Sequence, residues 1–343
     1  VDGQRIGLGV RAAPELVEVF QHIGLQLLEP VEHTRQFGAV TAQVVLAPAA
    51  FNAFDTSTAS GAVTGKLTTR IAGNALPVAV IAVGSGSKVN TGFAGTVTVE
   101  ALNAEDNSGA YDANNCRSTW TAVIASTSGA LSGGRSNFTL PAVADVYRDV
   151  RIRVTGVSGG VTVRGCSIDR FAIRPASFVV TVTDSDASTA GTSRSLGNTA
   201  ASGGNVHYAE APFTVRVTAV GTTGAPVPRY PQVITALPAL SVASVLVPAG
   251  AASGSVSATL DVSGVSGELR ADDAIFDDVG SISLSVDDDS FSQVDAVDGS
   301  ASTVTRITGT ANAGRFVPAS FQLDPVLDPV MTVATESGCA APT

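Results

Sequence analysis

The tetrapeptide Pro-Ala-(Ala/Ser)-Phe occurs three times in this chain, and each copy follows a run of residues that favour β-strands. The copies begin at Pro48, Pro175 and Pro318. Proline cannot donate a hydrogen bond to a sheet, so it is typical of domain junctions and of the first residue of a strand. The phenylalanine that ends each copy is then expected to enter the core of a new domain. The separation of the copies suits domains of roughly 100–150 residues, so the repeat predicts tandem domains.

The repeat divides the chain into four parts, of which the first is the least clear. Leu16, Phe20 and Ile23 follow helical spacing, but β-branched neighbours make a pair of strands an alternative. This segment could also be a linker or a strand donated to a neighbour. The four predicted parts are the N-terminal segment 1–45, a first domain at 46–174, a second domain at 175–316, and the start of a third module or a C-terminal strand or tail at 317–343.

Short runs of alternating apolar and polar residues recur along both predicted domains. Residues 97–102, 150–154 and 213–219 alternate in this way, which is the pattern of a strand with one buried face. Only 15% of the residues are charged, and this composition favours half-buried sheets over solvated helices. Turns rich in glycine and serine, such as residues 84–87, separate the runs. The sequence therefore predicts an all-β fold of tandem Ig-like β-sandwich domains.

The three cysteines bear on the cellular compartment. Cys116 and Cys166 fall in the first predicted domain, and neither has a second cysteine or a histidine at the spacing of a metal site. We therefore predict a disulfide between them, with two free thiols in a cytosolic protein as the alternative. A disulfide implies an oxidising, extracytoplasmic location. Cys339 is left over, either unpaired or bridging to sequence beyond this chain.

The charge balance excludes one class of partner. The net charge is −10, from 30 acidic and 20 basic residues, and Lys66 and Lys88 are the only lysines. Binding to nucleic acid needs a clustered cationic surface, so nucleic acid is excluded. No apolar run reaches the roughly 20 residues of a membrane span, so no transmembrane segment is predicted. We expect a secreted or cell-surface protein whose signal peptide was removed or lay upstream.

Catalytic motifs are not evident in the sequence. The three histidines are His22, His33 and His207, and no Gly-x-Ser-x-Gly elbow lies near any of them. A glycine-rich phosphate loop ending in Lys-(Ser/Thr) does not occur either. The sequence therefore predicts a protein without enzymatic activity.

An aspartate-rich segment near the end of the second domain is a candidate calcium site. Calcium takes six to eight oxygen ligands, which extracellular modules often supply from acidic loops between strands. No EF-hand loop occurs here, and solvated turns are the alternative interpretation. The candidate ligands are Asp272, Asp273, Asp277, Asp278, Asp287, Asp288 and Asp289.

Trp120 is the only tryptophan of the chain and has two interpretations. Its ring could stack on a sugar, or it could pack in the core. Because it follows Cys116 by four positions, packing beside a disulfide is the favoured interpretation.

Six stretches of the sequence look familiar together: residues 51–55, 69–73, 93–100, the segment around Cys116, 150–154 and, above all, 166–175. A looser copy of the last stretch is found at residues 314–318. These stretches resemble the MshQ-type proteins of mannose-sensitive haemagglutinin (MSHA) pilus loci, which are type IV pilus loci. The resemblance implies a large bacterial protein of the outer surface, associated with type IV pili and adhesion and built of Ig-like β modules. It carries over no catalytic residue.

Three functions are consistent with these features. The leading hypothesis is an extracellular structural and adhesive protein, a stalk of β-sandwich modules whose partners are pilus components. The second is a filament subunit joined to neighbouring copies by strand pairing. The third is a calcium-dependent carbohydrate-binding module that recognises host or surface glycans.

Overall fold

The computed structural model describes residues 47–185 and 193–321 of the chain. The predictions for the segment 1–45, for Cys339 and for most of the part 317–343 lie outside these residues. Within the described ranges almost all regular structure is β-strand, so the predicted all-β fold class is confirmed. The search for an apolar helix of membrane-spanning length found none in these ranges.

The strands up to Arg174 form the first sandwich. Its two sheets have the strand orders β1–β3–β6 and β2–β9–β7–β4–β5, and β8 pairs with β7. All pairings are antiparallel except the short β2–β9 ladder. The strands are β1 Ala50–Phe54, β2 Arg70–Ile71, β3 Leu76–Val83, β4 Gly95–Asn103, β5 Val123–Leu131, β6 Arg135–Leu140, β7 Tyr147–Ser158, β8 Val161–Cys166 and β9 Phe171–Arg174.

The strands from Ser177 onward form the second sandwich. Its sheets have the orders β11–β10–β13–β17–β15, with β16 also on β17, and β12–β19–β18–β14. In the described part of this sandwich, three four-residue helices accompany the strands: α1 Tyr230–Val233, α2 Gln293–Ala296 and α3 Ser302–Thr305. The strands are β10 Ser177–Ser185, β11 Ser193–Ser195, β12 His207–Tyr208, β13 Phe213–Val220, β14 Ala239–Val247, β15 Val256–Ser257, β16 Asp261–Val262, β17 Glu268–Phe276, β18 Gly280–Asp288 and β19 Ile307–Val317.

The alternating pattern in the sequence sets which face of each strand is buried. In β4, Val97, Val99 and Ala101 are buried while the residues between them face outward. In β13, Phe213 and Val215 enter the core in the same way. Because side chains alternate across a strand, one apolar face on each sheet is enough to build the core between two sheets.

The first two copies of the repeated tetrapeptide each open a sandwich. Phe51 and Phe178 are buried in β1 and β10, and each packs edge-on against one aromatic ring, that of Phe93 at 5.5 Å and that of Tyr230 at 5.4 Å. The third copy differs from the expectation, because Phe321 is 86% exposed. Within the described residues, it therefore enters no core.

The strands that precede the second and third prolines also share a pairing pattern. Ile173 of β9 lies beside Arg70 in a parallel ladder, and Phe316 of β19 lies beside His207 in another. The two sandwiches therefore share a topology at the level of individual residue pairs. That is stronger evidence for internal duplication than the tetrapeptide alone.

The two sandwiches differ at one hairpin. β7 and β8 of the first sandwich are joined by Gly159 and Gly160 alone, both at positive φ. In the second sandwich, the corresponding strands β18 and β19 are separated by residues 289–306, which include α2 and α3. We call residues 289–306 the junction insert, because it packs against the first sandwich.

A second, smaller core surrounds the disulfide. Cys116 and Cys166 are joined with their Cα atoms 5.0 Å apart, as the sequence analysis expects. Trp120 is only 2% exposed and packs with both cysteines, Leu102 and Ala104. The structure therefore places Trp120 in a core, where it cannot serve as a platform for a sugar.

Candidate functional site at the junction of the sandwiches

The link between the two sandwiches is very short. β9 ends at Arg174 and β10 begins at Ser177, so only Pro175 and Ala176 lie between them. Arg174 is buried and spans the junction, because its Nε donates to Val304 O at 2.7 Å and its Nη1 donates to Pro175 O at 2.7 Å. Burial lowers the pKa of this guanidinium. These bonds restrict rotation between the sandwiches.

Asp295 of α2 is the central polar group of the junction. Its side chain is fully buried, and its Oδ2 accepts hydrogen bonds from Thr69 Oγ1 at 2.7 Å and from Ala172 N at 2.9 Å. Both donors belong to the first sandwich, so a single carboxyl oxygen of the second sandwich binds β9 and the residue that precedes β2. The other oxygen, Oδ1, is buried and has no hydrogen-bond partner within residues 47–185 and 193–321.

Two further carboxyls lie close to Asp295. Asp169 of the first sandwich accepts a hydrogen bond from Leu67 N at 2.6 Å, and it interacts with the side chain of Asp298 from the junction insert. Lys66 Nζ donates to the main-chain carbonyl of Asp298. We call Asp169, Asp295 and Asp298 the junction carboxyls.

Two of the junction carboxyls, Asp295 and Asp169, have raised pKa values. Burial raises the pKa of Asp295 to about 7; the hydrogen bonds from Ala172 and Thr69 oppose this rise, and the carboxyls of Asp169 and Asp298 add to it. Burial also raises the pKa of Asp169, with Asp298 contributing. Desolvation and neighbouring like charge both favour the neutral form of a carboxyl.

Arg229 fixes a second part of the junction. From the start of α1 it forms an ion pair with Glu105 of the first sandwich and donates from Nη1 to Val146 O at 2.9 Å. Its guanidinium also lies 4.3 Å from the centre of the Tyr147 ring. A guanidinium that forms an ion pair, donates to a carbonyl and stacks on an aromatic ring is held in one orientation.

A loop of the second sandwich completes the contact. Thr222 N donates to Ala72 O at 3.0 Å, and Thr222 Oγ1 approaches the same carbonyl at 3.3 Å. Gly221 lies so close that a Cβ there would sit 3.1 Å from Ala72 O. Among the described residues, polar contacts therefore hold the junction at the insert, at Arg229 and at this loop, and the buried apolar residues of both sandwiches belong to one continuous cluster.

The aspartates predicted to bind calcium do not form one cluster. Asp272 and Asp273 share a surface concavity of about 610 Å³ with Asp261 and Arg270, whereas Asp288 is buried under α1. Each of the seven carboxylates accepts a hydrogen bond from the protein. The donors are Thr214 and Arg270 for Asp272, Thr259 for Asp273, Ser255 for Asp277, Val279 for Asp278, Ser285 for Asp287, Tyr230 for Asp288 and Arg306 for Asp289.

Each of these carboxylates therefore already has a hydrogen-bond donor within the protein. The pKa values of Asp272, Asp273 and Asp277 are lowered, chiefly by the bonds from Thr214, Thr259 and Ser255 in turn. Across the described ranges, no group of three or more His, Cys, Asp or Glu side chains is arranged to hold a metal ion. The geometry gives no support for calcium at these residues, and calcium binding stays a prediction.

His207 is a structural residue. Its Nδ1 lies 2.8 Å from Asp184 Oδ2 and its Nε2 lies 3.1 Å from Ala211 O, so both ring nitrogens are occupied. Its ring packs edge-on against Phe213 and Phe316. The other two histidines lie outside the described residues.

Comparison with known proteins yields only weak similarity. No protein-family model matches the sequence, and no curated protein matches it. Among solved structures, domains 4 to 9 of the surface layer protein SbsC align with 74% of this chain and 30% of their own length, at 14% identity and a TM-score of 0.19. Domains 5 and 6 of the S-layer protein SbsC align with 77% of this chain and 98% of their own length, at 14% identity and a TM-score of 0.20. TM-scores at this level do not establish a shared fold, and the resemblance to MshQ-type proteins gains no support.

Proposed function

We propose that this chain is a non-enzymatic structural protein of the bacterial cell surface, in which two β-sandwiches form a stalk of fixed geometry. The observation that carries the proposal is the junction. Two sandwiches joined by two residues, and held together by Arg174, Asp295 and Arg229, are suited to transmit force or to hold a distance. A flexible linker would do neither.

The disulfide and the surface composition support an extracytoplasmic location. A buried disulfide between Cys116 and Cys166 is typical of proteins that fold in an oxidising compartment. An acidic surface with two lysines in 343 residues favours solubility over binding to anionic polymers. Association with a type IV pilus rests on the sequence resemblance alone.

The surface location is tested in the bacterium that carries the protein. Antibodies raised against the folded chain are expected to bind intact cells as strongly as permeabilised cells. An antibody against a cytoplasmic enzyme of the same cells is the control, and it should label only permeabilised cells. Labelling of the present protein only after permeabilisation would overturn the proposal.

The edge strands favour a second candidate function, self-assembly. β5 and β14 lie at the ends of their sheets, each is nine residues long, and neither contains a charged residue or a proline. Edge strands of this kind can pair with another chain, and proteins that avoid such pairing usually place lysine or proline there. Electron microscopy of the purified protein decides between a monomeric stalk and repeating fibres.

A further inference from the structure

The junction carboxyls bring three acidic groups together where the two sandwiches meet. Asp295 and Asp298 come from the junction insert and Asp169 comes from the first sandwich. Ionised together, they would place like charges in a poorly solvated interface. Such an arrangement is stable only if protons or cations neutralise part of the charge.

Among the residues that the structure describes, no basic side chain forms an ion pair with Asp295. Its oxygen contacts are the hydroxyl of Thr69 and the amide of Ala172, and its Oδ1 contacts no donor. Lys66 reaches the main-chain carbonyl of Asp298. The carboxyl of Asp295 is therefore suited to the protonated state.

Most of the other charged and titratable groups on the elements around α2 have contacts of their own. These elements are β7, β9, the remainder of the insert and the segment around β2. Arg148 is the exception: its Nε is buried without a hydrogen-bond partner among the described residues, and its side chain lines a cavity of about 340 Å³ together with Glu105, Asn107 and Val294 of α2. The remaining groups and their contacts are Arg70 with Asp55, Tyr147 with Arg229, Asp149 with Arg170, Arg151 with the carbonyl of Ser167, Arg153 with Glu100, Arg174 with the carbonyl of Val304, and Arg306 with Asp289.

We propose that the junction is a pH-sensitive hinge: protonated junction carboxyls hold the two sandwiches together, and their ionisation loosens the contact. In the closed junction a proton on Asp295 removes the buried charge, and a proton shared between Asp169 and Asp298 links the two sandwiches directly. Loss of these protons leaves mutual repulsion, which is relieved when water enters the junction.

The size of the effect follows from linkage. A carboxyl that holds its proton up to about pH 7 in the closed junction, and up to about pH 4 once solvated, changes the open-to-closed ratio about thirtyfold between pH 5.5 and pH 8.5. The closed state is favoured at the acidic end, because only there does the carboxyl keep its proton in the junction. The junction is therefore expected to be tightest in mildly acidic surroundings.

Spin labels measure the opening directly in the full chain. Labels are placed at Ser126→Cys in β5 and Ser257→Cys in β15, both exposed, with Cys339→Ser to remove the additional thiol. Double electron–electron resonance is expected to give a narrow distance distribution at about pH 5.5 and a broader one at about pH 8.5. An unchanged distribution across this range overturns the proposal, and this measurement requires no variant of the junction.

Two substitutions separate the junction carboxyls from general charge effects. Asp295→Asn keeps an acceptor for Thr69 and Ala172 but cannot ionise, so its distance distribution is expected to broaden less than that of the parent chain at about pH 8.5. The matched control Asp261→Asn removes an exposed carboxylate on β16. Its distance distribution is expected to broaden at about pH 8.5 as that of the parent chain does. The proposal would be contradicted if the distance distribution of Asp295→Asn broadened as much as that of the parent chain. It would also be contradicted if Asp261→Asn reduced the broadening.

A second variant covers the case in which Asp295→Asn does not fold. Asp298→Asn supplies a permanent amide donor for Asp169, so the broadening at about pH 8.5 is expected to shrink. Calcium added at this pH serves as a further check. If calcium narrows the parent distribution while a fall in pH does not, the junction responds to a cation and the proton-based proposal is wrong.

Discussion

At Gly165 and Gly309 the absence of a side chain allows two strands to meet. A Cβ on Gly165 would overlap the main chain of Phe51, and a Cβ on Gly309 would lie 2.5 Å from Phe178 O. The first strand of each sandwich therefore packs against a glycine at the same place. Because the obstacle is backbone, it cannot move aside as a flexible side chain would.

Substitution of either glycine by alanine is expected to destabilise the protein by about 1–3 kcal/mol, the usual range for overpacking in a core. Gly61→Ala is the matched control, because a Cβ there meets no atom within 4 Å. Midpoints of denaturant unfolding, followed by circular dichroism, measure the difference. Equal midpoints for Gly165→Ala and Gly61→Ala would show that the first strand can shift to make room.

The carboxyl of Asp295 gives the folding stability a defined pH dependence. Its pKa is raised on folding, so the native state holds a proton that the unfolded chain releases above about pH 4. The stabilisation is complete below that pH and is lost as the pH rises to about 7. Between pH 5 and pH 8 the parent chain is expected to lose on the order of 2 kcal/mol more stability than Asp295→Asn. Denaturant titrations of both proteins at the two pH values measure this difference, and parallel losses would contradict it.

Among the elements, the disulfide between β8 and the loop before β5 holds the smaller core around Trp120. Replacing both Cys116 and Cys166 by serine opens a loop of 50 residues and is expected to destabilise the first sandwich by about 4 kcal/mol. Tryptophan fluorescence during unfolding reports on this sandwich, because Trp120 is the only tryptophan. Cys339→Ser is the control. If its unfolding midpoint shifted as much as that of the double variant, the loss of stability could not be attributed to the disulfide.

The edge strand β14 is where assembly is tested. Ala243→Lys adds an exposed charge to this strand and is expected to leave folding intact while abolishing any fibres or oligomers. Thr310→Lys is the control, because it adds the same charge to an exposed position on β19, inside the sheet order. Light scattering after gel filtration measures the mass. Assembly that survives Ala243→Lys would exclude pairing through β14.

The elements also show how far sequence reasoning reaches. The alternation in residues 97–102 and 213–219 predicts β4 and β13 because burial on one face is a local property of a strand. The cysteine pair was predictable from its isolation in the sequence. Asp295 was not, because its importance depends on Thr69 and Ala172, which lie more than a hundred residues away. The long segment between β18 and β19, compared with the two glycines between β7 and β8, is the one sequence signal that could have indicated the insert.

An Asp-rich composition does not by itself specify a metal site, for a related reason. Aspartates in turns accept hydrogen bonds from nearby main-chain amides and hydroxyls, as Asp277 does from Ser255. Composition alone cannot distinguish such turns from a set of ligands that converge on one point. Only the positions of the strands decide this, and they separate Asp272 and Asp273 from the buried Asp288.

For the whole molecule, the two-residue link is the decisive feature. Inserting a flexible Gly-Ser segment between Arg174 and Pro175 is expected to release the sandwiches from each other, since Arg174 could no longer stay in register with Val304. Small-angle X-ray scattering at about pH 5.5 should then show a larger maximum dimension. The same segment inserted between Gly159 and Gly160, where added atoms meet nothing within 4 Å, is the control and should leave the profile close to that of the parent.

The hairpin at Gly159 and Gly160 has an implication for engineering. At this position the second sandwich carries the contiguous junction insert, residues 289–306, in place of the two glycines. The insert is therefore a segment that could be exchanged between sandwiches of this topology. If the insert replaced Gly159 and Gly160, the first sandwich could bind a sandwich joined to its N-terminal side, as the second sandwich binds the first through Thr69 and Ala172. Longer chains of sandwiches could then be built one domain at a time, and pH would set how tightly neighbouring sandwiches are held at each junction.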